Sequence, residues 1–93
     1  MVFKFTSNGL KSLQKLEKTT VVRIGKKLKY WESSNDPLQY AQKIEGFNLY
    51  KYRIGDFRVI ISYDKQKNII RIKRVGHRKN VYQCRSLKNL ELN

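Results

Sequence analysis

The sequence predicts an α+β fold in the order β-α-α-β-β-β, with two N-terminal helices packed on a small antiparallel sheet and room for a short C-terminal helix. Three observations carry this. Apolar residues recur at spacings of three and four as far as Trp31; from Leu49 onward the segments are rich in β-branched and aromatic residues; and turn chemistry separates them. With 93 residues the chain has room for one core, so a single domain spanning 1–93 is expected.

Val2-Phe3-Lys4-Phe5 has the look of a short strand, after which Ser7 or Thr6 offers a capping oxygen to a helix whose Leu10, Leu13 and Leu16 share one face. A second helix is expected from about Thr20 to Glu32. There Val21, Ile24, Leu28 and Trp31 form an apolar side among Arg23, Lys26, Lys27 and Lys29. Gly25 weakens that helix by roughly 1 kcal/mol relative to alanine, so the helix depends on packing. Ser33-Ser34-Asn35-Asp36-Pro37 ends it. Strands follow at Leu49–Ile54, Phe57–Tyr63 and Ile69–Val75. Gly55-Asp56 suits a two-residue hairpin turn, and Asp64-Lys65-Gln66-Lys67-Asn68 makes a longer connection.

That turn puts Ile54 opposite Phe57, Arg53 opposite Arg58 and Lys51 opposite Ile60. Like charges facing across a strand pair destabilise it, and a phosphate bridging both arginines would relieve this, which points to an anion site. Tyr50, Tyr52, Ile54, Phe57, Val59, Ile61 and Tyr63 form the other face, for the helices to cover, joined by Ile70 and Ile72. Arg71 and Lys73 then fall with Lys51, Arg53 and Arg58. Arg74 breaks the alternation and is left unassigned or near a bulge. Such a face could simply be solvated, but soluble faces usually mix signs and these five residues include no acid.

The chain carries 21 Lys and Arg against 7 Asp and Glu, a formal charge of +14. Nucleic acid, an anionic membrane surface or an acidic protein would each satisfy that charge. No apolar run approaches a membrane span, Met1–Thr6 is too short and too interrupted by Lys4 for a signal peptide, and Cys84 is the only cysteine. A soluble, cytoplasmic protein without internal disulfides or membrane contact is expected. No glycine-rich phosphate loop, paired histidine ligands or Ser-His-Asp set is present, and no metal or cofactor is expected.

Lys43-Ile44-Glu45-Gly46, Tyr50-Lys51-Tyr52-Arg53-Ile54-Gly55-Asp56-Phe57-Arg58-Val59-Ile60 and Gly76-His77-Arg78-Lys79-Asn80-Val81-Tyr82 together resemble the RelE/ParE toxin superfamily over nearly the whole chain. The resemblance implies the RelE-like fold and a toxin that cuts mRNA in the A site of the small ribosomal subunit, against its rRNA. It also implies a cognate antitoxin, encoded beside the toxin, that holds it inactive in a toxin–antitoxin hetero-oligomer. By the same resemblance Lys51, Arg53 and Arg58 hold RNA and balance charge in the transition state, Arg78 lies near the scissile phosphate, and Tyr82 stacks on the RNA. Arg71, Lys73 and Lys79 are candidate RNA-binding residues.

Cutting RNA without a metal requires the 2′-hydroxyl deprotonated, the phosphorane charge stabilised and the leaving 5′-oxygen protonated. Arginine answers the second need, which makes Arg58 and Arg78 the candidate stabilisers. His77 has the one side chain whose ordinary pKa is near neutrality and is a candidate acid or base, although the division of roles among His77, Lys51 and Tyr82 is open. His77 could instead be structural and Tyr82 core packing. Cys84 is assigned no chemistry for want of an activating base.

Two rivals stand beside the nuclease. ParE-type toxins share the fold and inhibit DNA gyrase by protein contact, usually without the catalytic set. A non-catalytic RNA- or ribosome-binding protein would use the same patch for phosphates alone. The tail Arg85–Asn93 carries Leu87, Leu90 and Leu92 at spacings suited to a short helix whose docking an antitoxin could alter.

Overall fold

A computed structural model describes residues 1–82 and 84–92, with side chains for all of these except 84–86 and 92, so the assignment made for Cys84 lies outside the described side chains. The chain runs through β1 (Val2–Phe5), α1 (Ser7–Gln14), α2 (Lys18–Glu32), a tight helical turn (Pro37–Tyr40), β2 (Gln42–Lys43), β3 (Tyr50–Ile54), β4 (Phe57–Asp64), β5 (Ile69–His77) and α3 (Cys84–Leu92).

Thr6, rather than Ser7, caps α1: its Oγ1 accepts from the Gly9 amide at 3.0 Å and donates to the Ile72 carbonyl at 3.1 Å. The same residue therefore ends β1, starts α1 and ties both to β5. Ser12, one turn on, accepts from the Val75 amide at 2.9 Å, so α1 takes over a strand donor just beyond the end of β1. Leu13 is buried and Leu16 half-buried, but Leu10 is 44% exposed, because α1 lies close enough to β5 that only part of the expected stripe is covered.

Ile24, Leu28 and Trp31 of α2 are buried, and Trp31 stacks on Tyr52 at 4.3 Å between ring centroids. The Tyr52 hydroxyl donates to the Pro37 carbonyl at 2.8 Å, so the segment that breaks α2 also satisfies the buried phenol. This core joins Leu13 and the α2 residues to Tyr52, Ile54, Val59, Ile61, Ile70, Ile72 and Val75.

The sheet order is β1-β5-β4-β3-β2. Its meander is antiparallel in the expected register, with Ile54 opposite Phe57, Arg53 opposite Arg58 and Lys51 opposite Ile60, and Gly55 takes a φ of +58° at the turn. Two features differ from expectation. β1 pairs parallel to β5, making the sheet mixed, since strand direction depends on a long-range connection that local pattern does not encode. The two-residue β2 also adds to the edge beside β3, too short to show alternation.

A bulge falls where Arg74 broke the pattern. Ile60 pairs with Arg74 while Ile61 pairs with Ile72, which leaves Lys73 without a partner across the ladder. The second face of the sheet is likewise more than a charged surface. Leu49 and Ile60 form a smaller core there with Val81, Leu87 and Leu90, so α3 covers part of the face expected to be open. Leu87 and Leu90, three apart on α3, make that covering possible.

Candidate functional site

The backbone turns sharply after β5. The Asn80 and Val81 amides donate to the His77 carbonyl at 2.9 and 3.1 Å, and Val81 packs into the smaller core beside Gly76. The fold-back carries Tyr82 over β3, where the Lys51 ammonium lies 5.0 Å from the centre of its ring. A lysine from β3 and a tyrosine thirty-one positions later thus form one unit.

Arg58 extends from β4 on the same face and is only 9% exposed. Its Nη1 donates to the Gly55 and Phe57 carbonyls, both at 2.8 Å, so the guanidinium is fixed against the hairpin turn. The Tyr82 hydroxyl is shut from solvent without a hydrogen-bond partner of ordinary geometry. Burial pushes this phenol up from its usual pKa, against the opposing charge of Arg58, and it therefore stays protonated at neutral pH. Lys51, Arg58 and Tyr82 are the part of the expected set that the fold brings together. Arg53, directly across from Arg58, is exposed at the rim.

Arg78 stands at the edge of this cluster. Its amide donates to the Asp56 carbonyl at 2.8 Å and its Nε lies 3.8 Å from the Asp56 carboxylate, with both side chains largely exposed. Such a surface pair contributes little stability and yields readily to a stronger anion. Asp56 was expected only as a turn residue; its place at the hairpin tip makes it the tether for Arg78. Lys79 is exposed beside it.

His77 is not with these groups. It pairs across the ladder with Phe57, and its ring meets that phenylalanine edge-on at 5.7 Å. Strand alternation puts both on the side of the sheet covered by the helices. Its Nδ1 accepts from the Lys79 amide at 3.2 Å, a bond that leaves the neutral ring's proton on Nε2.

The three candidate RNA-binding residues likewise separate. Arg71 is paired with Asp64 at 3.2 Å, and the Lys67 amide together with Arg71 holds that carboxyl below its usual pKa. Lys73 is 4% exposed beneath α3, and its ammonium donates to the Leu90 carbonyl at 2.7 Å. Burial, with a smaller contribution from Arg71, lowers its pKa. The bulge that frees Lys73 from the ladder thus gives it to α3 rather than to an open surface. Arg74, across from Ile60 and with no acidic partner among the described residues, is the cation on that face which sequence reasoning left unplaced.

A helical hairpin on one face of a five-stranded mixed sheet, with a short helix and a cationic cluster on the other, is the RelE-like toxin fold. A double arginine-to-alanine mutant of Escherichia coli RelE in the free state superposes with a TM-score of 0.71 at 19% identity, over 98% of this chain and 93% of that one. RelBE2, a toxin–antitoxin complex from Mycobacterium tuberculosis, gives a TM-score of 0.69 at 22% identity, over 82% of this chain and 95% of the matched chain. For the RelB–RelE antitoxin–toxin complex from Methanococcus jannaschii the TM-score is 0.67 at 27% identity, over 86% of this chain and 95% of that one. No curated protein matches the sequence.

The family of ParE toxins of type II toxin–antitoxin (parDE) systems matches residues 3–82, and the chain belongs to it. It is a type II toxin of the RelE/ParE superfamily. Among the described residues, no helix is long and apolar enough to cross a membrane.

Proposed function

We propose that this toxin is a ribosome-dependent endoribonuclease that cleaves mRNA in the A site and so inhibits translation in the cytoplasm, held inactive by a cognate antitoxin in a hetero-oligomer. The observation that carries this is the Lys51–Tyr82–Arg58 cluster, rimmed by Arg53 and Arg78, where cations gather around a partly buried ring with Asp56 as the nearby counter-charge. The antitoxin follows from solved relatives that are RelB–RelE and RelBE2 complexes.

In this mechanism the RNA phosphate displaces Asp56 from Arg78 and lies between Arg78 and Arg58. The 2′-hydroxyl gives its proton to water, its oxygen attacks phosphorus, and the bond to the 5′-oxygen breaks as that oxygen takes a proton from the Lys51 ammonium, giving a 2′,3′-cyclic phosphate. Arg58 is already fixed by two carbonyls and so needs little reorganisation to stabilise the phosphorane. With His77 on the helix-covered side, the Lys51 ammonium is the proton donor of the cluster. The Tyr82 hydroxyl is shut from solvent, so this residue contributes its ring, on which the RNA stacks. Ribosomal RNA around the A site supplies the polyanion for the remaining cations.

The match to ParE toxins favours a second reading, inhibition of DNA gyrase by protein contact. One pair of assays separates the two. Under the nuclease reading Arg78→Ala lowers mRNA cutting on the order of 10²-fold while weakening ribosome binding only a few-fold, and gyrase supercoiling is unaffected by the wild type. Equal losses of cutting and binding would remove the catalytic role of Arg78, and blocked supercoiling with intact mRNA would establish the gyrase reading.

A further inference from the structure

The Gly55-Asp56 hairpin tip is held from two directions. Toward the site, the Gly55 and Phe57 carbonyls each accept from Arg58 Nη1 at 2.8 Å, and the Asp56 carbonyl accepts from the Arg78 amide at 2.8 Å. Toward the helices, Ile54 is buried in the main core and Phe57 packs against it, which brings the tip up to α2. There the Arg23 guanidinium fills the place that a side chain at position 55 would need. A Cβ on Gly55 would lie 2.7 Å from its Nη2, 3.2 Å from its Nη1 and 3.3 Å from its Cζ. Glycine is thus required twice at this position, by its φ of +58° and by the arginine head against it. Arg23 is an exposed residue of α2, and such side chains ordinarily keep the charged head in water. Among the described residues no carboxylate pairs with it, so what its head meets is the turn itself.

We propose that Arg23 is a positioning residue for Arg58: its guanidinium braces the hairpin tip from the helix side and so keeps the Gly55 carbonyl aimed at Arg58 Nη1. A glycine at positive φ in an exposed hairpin tip is the most easily moved part of the β3–β4 ladder. A hydrogen bond fixes Arg58 only as firmly as the carbonyl that accepts it is fixed. With Arg23 on one side and Arg58 on the other, the Gly55 backbone is confined between two guanidinium groups. Each of these hangs from a rigid element, since Ile24 beside Arg23 and Val59 beside Arg58 are both wholly buried in the main core. A donor held in advance stabilises a developing charge without reorganising, and a misplacement of about 1 Å from a change remote from the chemistry can cost about 10²-fold. Arg23 touches no RNA in this role, and its effect passes through the turn. The role rests on the nuclease reading, which gives Arg58 the phosphorane charge, whereas the brace is a property of the free chain.

The test compares the full chain as wild type, Arg23→Ala, Arg58→Lys and the double variant. Lys26→Ala is the control, because it removes an equally exposed cation of α2 that does not meet the turn. Single-turnover cutting on mRNA-programmed ribosomes separates rate from binding, and NMR of the free chain follows the Arg58 guanidinium. Arg23→Ala should slow cutting at saturating toxin about tenfold and change the half-saturating concentration less than about twofold, with the wild-type melting temperature kept. The Arg58 Nη1 hydrogens, resolved in the wild type because two carbonyls hold them, should merge with those of freely rotating arginines. Lys26→Ala should alter none of these. In the Arg58→Lys background Arg23→Ala should add less than about twofold, because the paired donors it positions are already gone. Unchanged cutting with unchanged Arg58 signals, an equal loss in Lys26→Ala, or the full tenfold loss persisting beside Arg58→Lys would overturn the proposal. A wild type that cuts no message would sink the nuclease reading, and the Arg58 signals of Arg23→Ala would then decide the brace by themselves.

Discussion

Replacing Arg58 with alanine is expected to lower mRNA cutting on the order of 10²- to 10³-fold, the effect of losing one fixed donor to a transition-state oxyanion. The geometry gives the reason for so large a loss. Two backbone carbonyls at 2.8 Å hold the guanidinium still, and Arg53 directly opposite adds a second positive charge to the same space. The same bonds mean that alanine also disturbs the turn, by roughly 1 kcal/mol for each lost bond. Arg58→Lys separates the contributions, because it keeps the charge but loses the paired donors. Cutting should stay at least tenfold down in the lysine variant although the charge is restored. Full recovery by lysine would mean that charge alone suffices, and an unfolded alanine variant would be apparent in its circular dichroism.

Gly9→Ala should destabilise the fold by about 3 kcal/mol, at the top of the range for overpacking, which in a domain of this size lowers Tm by roughly 12 to 24 °C. A Cβ on Gly9 would lie 2.0 Å from the Ile72 carbonyl oxygen, which already accepts from the Thr6 hydroxyl and amide. Relief requires α1 to move away from β5, and that movement stretches the Thr6 bonds and the Ser12 bond to the Val75 amide. Gly25→Ala is the control, since nothing lies within 4 Å of its added Cβ. It should raise stability by about 0.5 to 1 kcal/mol, the ordinary gain for alanine within a helix. Thermal melts of the two variants beside the wild type check both, and equal effects at the two glycines would refute the close approach of α1 to β5.

The parts of the fold that local pattern controls were legible in the chain. The apolar spacing through Ile24, Leu28 and Trp31 marked the face of α2 that is buried, and Gly55-Asp56 fixed the β3–β4 register that sets Arg53 across from Arg58. What could not be read depends on distant contacts. The direction of β1 is decided by β5, some seventy residues on, and the second core exists only because Val81, Leu87 and Leu90 return over Leu49 and Ile60.

The candidate site divides in the same way. Lys51, Arg53 and Arg58 follow from strand alternation, and Arg74 had already signalled a bulge by its misfit. Counting in twos gave Lys73 its correct face, but α3, whose return over the sheet no local pattern reports, covers that face and accepts its ammonium on the Leu90 carbonyl. Adjacency in sequence grouped His77 with Arg78, but β5 ends at His77, which the ladder sets against Phe57, whereas Arg78 begins the turn and reaches Asp56.

In the nuclease reading, the cluster of Lys51, Arg58 and Tyr82 cuts mRNA within the ribosome. The most direct measurement adds the purified chain to a cell-free translation reaction and maps mRNA ends by primer extension, with a parallel reaction lacking ribosomes. Discrete cuts within translated codons, absent without ribosomes, are the result expected. Intact message under normal translation would contradict the claim.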